Sequence, residues 1–186
     1  MKSISAVLNK EIAVSGTTKS ILMILFFSFV MFASSLIRIH TPFSPVPFTL
    51  QTFALFMAVY YLNLKELGIS QAIYILAGII GAPVFAAGLT GAMALVGPTA
   101  GYLAGFIAAG IVMSLMKPSM EKYGFAGMAA VFSGGMAIIY LMGAAHLAFV
   151  YGMGIKGALA AGILPFIAAD AVKIIAAASL RKTARK

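Results

Sequence analysis

The sequence predicts an all-α integral membrane protein, a single bundle of six transmembrane helices with both termini cytoplasmic. Hydrophobic residues make up 62% of the 186 residues and charged residues only 9%, and the mean hydropathy is +1.07. Soluble domains carry about 25% charged residues, so this balance fits a chain surrounded by lipid. At about 20 residues per crossing, six helices account for nearly the whole chain. We expect one membrane domain over 1–186, with a tail (1–19), the bundle (20–181) and a basic end (182–186).

Six apolar stretches supply the predicted spans. They cover about 20–37, 48–62, 67–80, a stretch from Gly97-Pro98 to the turn at 117–123, 125–149, and Pro165–Leu180, which follows a short apolar piece at 157–164. A signal peptide ending near Ala33 is the alternative for the first stretch. The length of that stretch and the five spans after it favour a membrane helix.

The distribution of Lys and Arg predicts the orientation in the membrane. With both termini inside, ten of the 13 basic residues fall in inner segments: Lys2, Lys10, Lys19, Lys65, Lys117, Lys122, Arg181, Lys182, Arg185 and Lys186. Arg38 and Lys156 fall in outer loops, and Lys173 falls in the membrane. This asymmetry follows the positive-inside rule and places the start of the last helix on the outside.

Two loops on the same outer side are unusual in composition. Residues 42–47 contain three prolines, which prevent a helix and favour an extended segment packed on the bundle. Residues 81–91 are apolar and glycine-rich, without helical periodicity. We interpret the second loop as re-entrant or lid-like, because irregular backbone at membrane depth must be buried in protein or line a cavity.

Small residues at four-residue spacing predict close helix packing. Gly97, Gly101, Gly105 and Ala109 form one such ridge on the fourth span, for which a contact with a partner protein is the alternative to packing within the bundle. The fifth span carries a second small-residue face, made by Ala126, Ala130 and Gly134.

Asp170 and Lys173 are the charged residues of the last span, which is otherwise uncharged. A charge near the bilayer centre costs about 2.5–3.5 kcal/mol on insertion scales. Residues three apart share a helix face, and Phe166, Ala169 and Ala177 lie on the same face. If Pro165 is the first helical residue, the charges lie in the second and third turns. Such a pair predicts the floor of a binding pocket, and mutual neutralisation without further function is the alternative.

Several functions are excluded or disfavoured by what the sequence lacks. It contains no G-x-x-x-x-G-K-[ST], G-x-S-x-G or H-E-x-x-H motif and no cysteine, so we expect no ATPase, no enzyme and no cofactor. The basic residues form no patch interleaved with aromatics, which argues against nucleic acid as a partner. His146 is expected to form a hydrogen bond at a helix interface. The simplest remaining task is to bind a small solute, with Lys173 facing an anionic group and Asp170 accepting from N–H donors.

Four segments resemble the BioY biotin transporters, which are substrate-binding S components of energy-coupling factor (ECF) transporters. These segments are Pro45–Gln51, Gly81–Phe85, Gly97–Tyr102, and Pro165 with Asp170–Lys173. They occur in the same order and spacing, and the resemblance covers about residues 20–181. It implies a six-helix S component in the cell membrane that captures biotin from outside. The implied partners are a transmembrane scaffold protein, two cytoplasmic ATPases and the lipid bilayer.

The resemblance also implies roles for individual residues. Lys173 is expected to meet the carboxylate of biotin, and Asp170 to accept hydrogen bonds from its ureido ring. The other expected pocket or lid residues are Gln51, Phe85, Ala87, Gly88 and Tyr102. Gln51 has a second interpretation, as an interhelical hydrogen-bond donor.

The chain departs from the family pattern in two places. The alanine-xxx-alanine face of S components is missing from the first span, where Ala33 is followed four residues later by Ile37. Ala168 and Ala169 stand where relatives often have Pro-Gly.

Three alternative functions remain open from the sequence. An S component for thiamine or riboflavin would leave Lys173 without a carboxylate to bind. An assembly protein would tolerate apolar replacements of both charges. A membrane enzyme lacks the necessary nucleophile and base.

Overall fold

The computed structural model describes residues 16–86, 88 and 90–180 and is mainly helical. Its helices are α1 (Gly16–Leu36), α2 (Gln51–Tyr61), α3 (Leu64–Ile79), α4 (Ala92–Val96), α5 (Ala100–Met120), α6 (Gly124–Ala145), α7 (Gly154–Gly162) and α8 (Ile167–Ser179). Two strands, β1 (Arg38–Thr41) and β2 (Ser44–Thr49), separate α1 from α2. Most of the predicted N-terminal tail and the basic end at 182–186 lie outside the described residues.

Three helical stretches of the described chain are long and apolar enough to cross a membrane. They are Gly16–Leu36, Ala100–Val150 and Gly154–Ser179. The second stretch has 51 residues, more than twice the ~20 that one crossing needs. It folds back at Gly124, whose φ is +74°, so that α5 and α6 form an antiparallel helical hairpin. The chain is therefore a helical membrane protein.

The predicted small-residue ridge of the fourth span packs α5 against α6. A Cβ at Gly101 would lie 2.3 Å from Cβ of His146 and 2.5 Å from the Met142 carbonyl oxygen, and one at Gly105 would lie 3.0 Å from Cα of Ile139. This close approach of two backbones confirms the packing interpretation for Gly101 and Gly105, whereas Gly97 lies before the start of α5. The second predicted face shows no such close approach at Gly134, because no atom lies within 4 Å of a Cβ built there.

The proline-rich segment is extended and packed on the bundle as predicted, and it forms part of a β-hairpin, which the sequence did not predict. Arg38 pairs with Thr49, Ile39 with Phe48 and Thr41 with Ser44 in antiparallel register. Proline is compatible with the strand because each strand of a two-stranded sheet has a free edge that needs no N–H donor. Ser44 Oγ donates a hydrogen bond of 2.7 Å to the Ala161 carbonyl, which holds the hairpin on the end of α7.

The helices after the hairpin are short. α2 has 11 residues, against the 15 predicted for its span, and its length of about 16 Å is roughly half the hydrocarbon thickness.

The connection to α3 is an Asn63–Glu66 capping box, in which each residue's side chain accepts from the other's backbone N–H at 3.0 Å. Lys117 donates to the Val59 and Tyr60 carbonyls and so caps the end of α2 from inside α5. Because α5 extends to Met120, the polar turn predicted at 117–123 begins within a helix.

The last helix begins two residues later than predicted. Pro165 lies in a 3₁₀ turn (Leu164–Phe166), and α8 starts at Ile167. Proline fits this turn because its fixed φ and missing N–H suit an initiating position. Asp170 therefore lies in the first turn of α8, closer to the helix start than predicted.

Candidate solute-binding site

Asp170 and Lys173 form an ion pair on the inner face of α8. Lys173 Nζ lies 2.8 Å from Asp170 Oδ1, and the exposed fractions of the two side chains are 14% and 6%. The i, i+3 spacing on one helix face brings the two groups together. Each charge is thus neutralised locally, as burial in an apolar bundle requires.

The start of α2 supplies further partners for the pair. Thr52 Oγ1 donates to Asp170 Oδ1 at 3.1 Å. Lys173 Nζ donates to the Thr49 carbonyl at 2.6 Å and to Thr52 Oγ1 at 3.1 Å. An ammonium group has three N–H donors, so every donor of Lys173 has a partner within the protein. The pair therefore fixes α8 to the junction of β2 and α2.

Tyr140, which was not predicted from the sequence, completes this cluster from α6. Its hydroxyl donates to Asp170 Oδ2 at 2.7 Å. A carboxylate offers about four acceptor sites, and Lys173, Thr52 and Tyr140 use three of them. One acceptor site on Oδ2 remains. The sequence did contain a signal, because Tyr140 is the one tyrosine of the apolar stretch 125–149.

The cluster lies at one wall of a cavity enclosed by the hairpin, α2, α5, α6 and α8. The cavity holds about 530 Å³ between its lining atoms, its opening included. Its polar lining residues are Thr49, Gln51, Thr52, Thr99, Tyr102, Tyr140, Asp170 and Lys173. Its apolar lining residues are Val46, Pro47, Ala86, Leu103, Phe106, Met136, Ile139 and Phe166. An apolar pocket with a few convergent polar groups is typical of small-molecule sites.

Two further residues predicted for the site, Gln51 and Tyr102, line this cavity beside the ion pair. Gln51 Nε2 donates to Tyr74 Oη at 2.6 Å, so the interhelical bond of its second interpretation is present. Tyr102 donates to the Gly162 carbonyl at 2.7 Å. Both side chains thus join helices and line the cavity at the same time.

Two of the predicted loop residues, Phe85 and Gly88, are not among the residues that line the cavity. Phe85 is 1% exposed and packs on Gly78, where a Cβ would lie 2.1 Å from its ring, and edge-to-face on Tyr74. Its neighbour Ala86 lines the cavity instead. Gly88 is exposed, with φ of +73°. Ala87 lies outside the described residues.

Side chains from two other elements hold the described part of the glycine-rich loop by hydrogen bonds. Tyr74 Oη donates to the Val84 carbonyl at 3.0 Å, and Arg38 Nη1 from the hairpin donates to the Ala86 carbonyl at 3.2 Å. Gly91 ends the loop with φ 60° and ψ −147°, a region that glycine almost alone can adopt. These contacts fix the backbone beside Ala86, the residue of this loop that lines the cavity.

Comparison with known proteins gives one family. The BioY family model matches residues 5–186. The biotin transporter BioY of Thermotoga maritima is 40% identical over 148 residues, which are 80% of this chain and 86% of that protein. The biotin transporter BioY of Rhizobium etli is 31% identical over 172 residues, 89% of this chain and 91% of that protein.

A solved structure has the same fold. It is the S-component for biotin from an ECF-type ABC transporter, with a TM-score of 0.83 and 23% identity over 91% of this chain and 93% of that one. From the family model and the two relatives, we conclude that this chain belongs to the BioY family.

Proposed function

We propose that this BioY family member binds biotin in the cavity and serves as the substrate-binding component of an uptake transporter. The observation that carries the proposal is the buried Asp170–Lys173 pair, hydrogen-bonded to Tyr140 and Thr52, beside otherwise apolar walls. Biotin combines a polar ureido ring and a carboxylate with an apolar ring and chain. Such a ligand requires a few polar contacts beside apolar walls, and the cavity offers both.

The proposed membrane arrangement is six crossings with both termini in the cytoplasm. The α5–α6 hairpin supplies two crossings, and α1 and the α7–α8 stretch supply one each. α2 and α3, which are shorter, complete the bundle. The exposed apolar side chains of α1, such as Leu22, Phe26 and Phe29, suit contact with lipid. The excess of basic residues in the inner segments supports this orientation in the cell membrane.

The proposed partners are a transmembrane scaffold protein and two cytoplasmic ATPases. The chain has no phosphate-binding G-x-x-x-x-G-K-[ST] sequence, so energy for uptake must come from other proteins. The similarity to an S-component of an ECF-type transporter supports such an assembly.

A competition experiment tests the choice of biotin. Membrane vesicles containing the protein are incubated with radiolabelled biotin, with and without an excess of biotin, thiamine or riboflavin. We expect saturable retention without ATP, abolished by unlabelled biotin alone. Retention displaced by thiamine or riboflavin, or no retention at all, would reject biotin as the substrate and leave the family and fold unchanged.

Replacing Tyr140 by phenylalanine should weaken biotin binding about tenfold. The change removes a hydrogen bond to a charged acceptor, worth about 1.5–3 kcal/mol, and leaves Oδ2 of Asp170 poorly oriented. The matched control is Tyr151→Phe, because Tyr151 is 47% exposed and does not line the cavity. Equal affinities of the parent and Tyr140→Phe, measured with radiolabelled biotin, would show that this hydroxyl is not part of the binding site.

A further inference from the structure

A second concave site lies on the flank of the bundle, between α1 and α2. The space between its lining atoms is about 660 Å³, its opening included. Its lining is apolar and aromatic: Met23, Phe26, Phe27 and Val30 of α1, with Met57 and Tyr61 of α2. Among the described residues it shares none with the cavity around Asp170. It is therefore a separate feature, which we call the α1–α2 groove.

The groove has a buried aromatic floor and exposed aromatic edges. Phe27, at the floor, is 4% exposed, and its ring stacks on Tyr61 with the centroids 5.8 Å apart. Phe26 packs edge-to-face on Phe27 at 5.2 Å. Phe26 and Tyr61 are 55% and 50% exposed, so they stand at the opening. A hydrocarbon chain in the groove gains van der Waals contacts on several sides, whereas a convex helix surface offers contacts on only one.

One end of the groove carries a positive charge. Lys19, Met23, Phe26 and Val30 are spaced i, i+4, i+7 and i+11, which places them along one face of α1. Lys19 is exposed and lies one turn before Met23. At 1.5 Å per residue, Lys19 and Val30 are about 16 Å apart along the helix, and half of the hydrocarbon core of a bilayer is about 15 Å. The groove and its lysine thus match the depth of one leaflet.

A second lysine lies at the same corner of the molecule. Ser20, next to Lys19, donates a hydrogen bond to the carboxylate of Glu66, which is next to the exposed Lys65. The other oxygen of this carboxylate accepts from the Asn63 backbone N–H. The corner therefore presents two ammonium groups to the surroundings, while its carboxylate is engaged within the protein. In the membrane arrangement proposed above, this corner faces the cytoplasm.

We propose that the α1–α2 groove binds an acyl chain of an anionic phospholipid from the inner leaflet, with the phosphate beside Lys19. The charge of the corner is complementary to this headgroup, and each lysine near a membrane surface favours an anionic lipid by about fivefold. A second copy of this chain is the less favourable occupant. Two copies in the same orientation that met symmetrically at the groove would bring their positive corners together.

The test uses a tryptophan as the reporter, because the chain has none of its own. Phe26→Trp and Tyr61→Trp place it at the two edges of the groove. Leu25→Trp is the matched control, since Leu25 is 51% exposed at nearly the same depth but does not line the groove. Each full-length variant is reconstituted in phosphatidylcholine vesicles with a small fraction of phosphatidylglycerol or phosphatidylcholine brominated in the acyl chains, which quenches tryptophan on contact. Thermal unfolding confirms that each variant is folded.

We expect brominated phosphatidylglycerol to quench Phe26→Trp and Tyr61→Trp at a fraction at least about fivefold lower than brominated phosphatidylcholine requires. Leu25→Trp should be quenched equally by the two lipids. Adding Lys19→Gln to Phe26→Trp should lower the preference for the anionic lipid by about fivefold. Adding Lys122→Gln instead should leave it unchanged, because Lys122 lies in the turn between α5 and α6.

Three results would overturn the proposal. Equal quenching of Phe26→Trp by the two lipids would show that the groove does not select an anionic headgroup. A preference that survives Lys19→Gln undiminished would show that this lysine does not meet the phosphate. Quenching of Leu25→Trp but of neither groove reporter would show that protein, as in a dimer of this chain, covers the groove. None of these results depends on whether biotin is the substrate.

Discussion

Replacing Lys173 by methionine should reduce biotin binding by at least about a hundredfold and lower the unfolding temperature. Methionine keeps most of the length of the side chain but removes the charge that neutralises Asp170, whose side chain is only 6% exposed. Removing one partner of a buried ion pair costs about 3–5 kcal/mol, because the other charge stays behind without compensation. The Thr49 carbonyl also loses its 2.6 Å bond. Labelled-biotin binding and thermal unfolding in detergent measure the two effects.

The double variant Asp170→Asn, Lys173→Met separates binding from stability. Replacing a whole buried pair by uncharged groups is often neutral or stabilising, so we expect an unfolding temperature near that of the parent. Biotin binding should still be lost, because the ionised acceptor is gone. A double variant that is stable and binds biotin as tightly as the parent would show that the pair serves packing only.

Replacing Gly101 by alanine should destabilise the protein. The new Cβ would lie 2.5 Å from the Met142 carbonyl oxygen and 2.3 Å from Cβ of His146. Because one obstacle is backbone, α5 and α6 must move apart. Overpacking of this kind costs about 1–3 kcal/mol, and the displaced α5 carries Tyr102 and Leu103 of the cavity wall.

The matched control for this substitution is Gly134→Ala in α6. No atom lies within 4 Å of its added Cβ, so the higher helix propensity of alanine should leave stability equal or raise it by about 0.5–1 kcal/mol. Thermal unfolding of both variants measures the difference. Equal unfolding temperatures for Gly101→Ala and Gly134→Ala would mean that the α5–α6 crossing is looser than the structure indicates.

The sequence predicted those features that depend on the cost of charge in lipid and on helical periodicity. Asp170 and Lys173 were recognisable as a pair because two charges on one face of an apolar helix are costly in lipid unless they neutralise each other. The Gly101–Gly105–Ala109 ridge was recognisable because its spacing matches one helix face. Both features are local in the chain and need no knowledge of what lies opposite.

Other features depend on tertiary contacts that periodicity does not reveal. Thr52 and Tyr140 meet Asp170 from helices distant in sequence, and each is an ordinary polar residue in its own segment. In a chain this hydrophobic, composition gives little contrast between core and cavity wall, so the buried position of Phe85 could not be inferred. The prolines excluded a helix at 42–47, but the pairing with Arg38–Thr41 that makes a hairpin is a property of two segments together.

Calorimetric titration of biotin into the purified parent protein, beside the Asp170→Asn, Lys173→Met double variant, tests the central claim most directly. We expect a saturable heat of binding with one site for the parent and no measurable heat for the double variant, at equal unfolding temperatures. Equal heats for the two proteins would show that the Asp170–Lys173 pair takes no part in binding biotin. If the folded parent gives no heat with biotin, biotin is not the ligand.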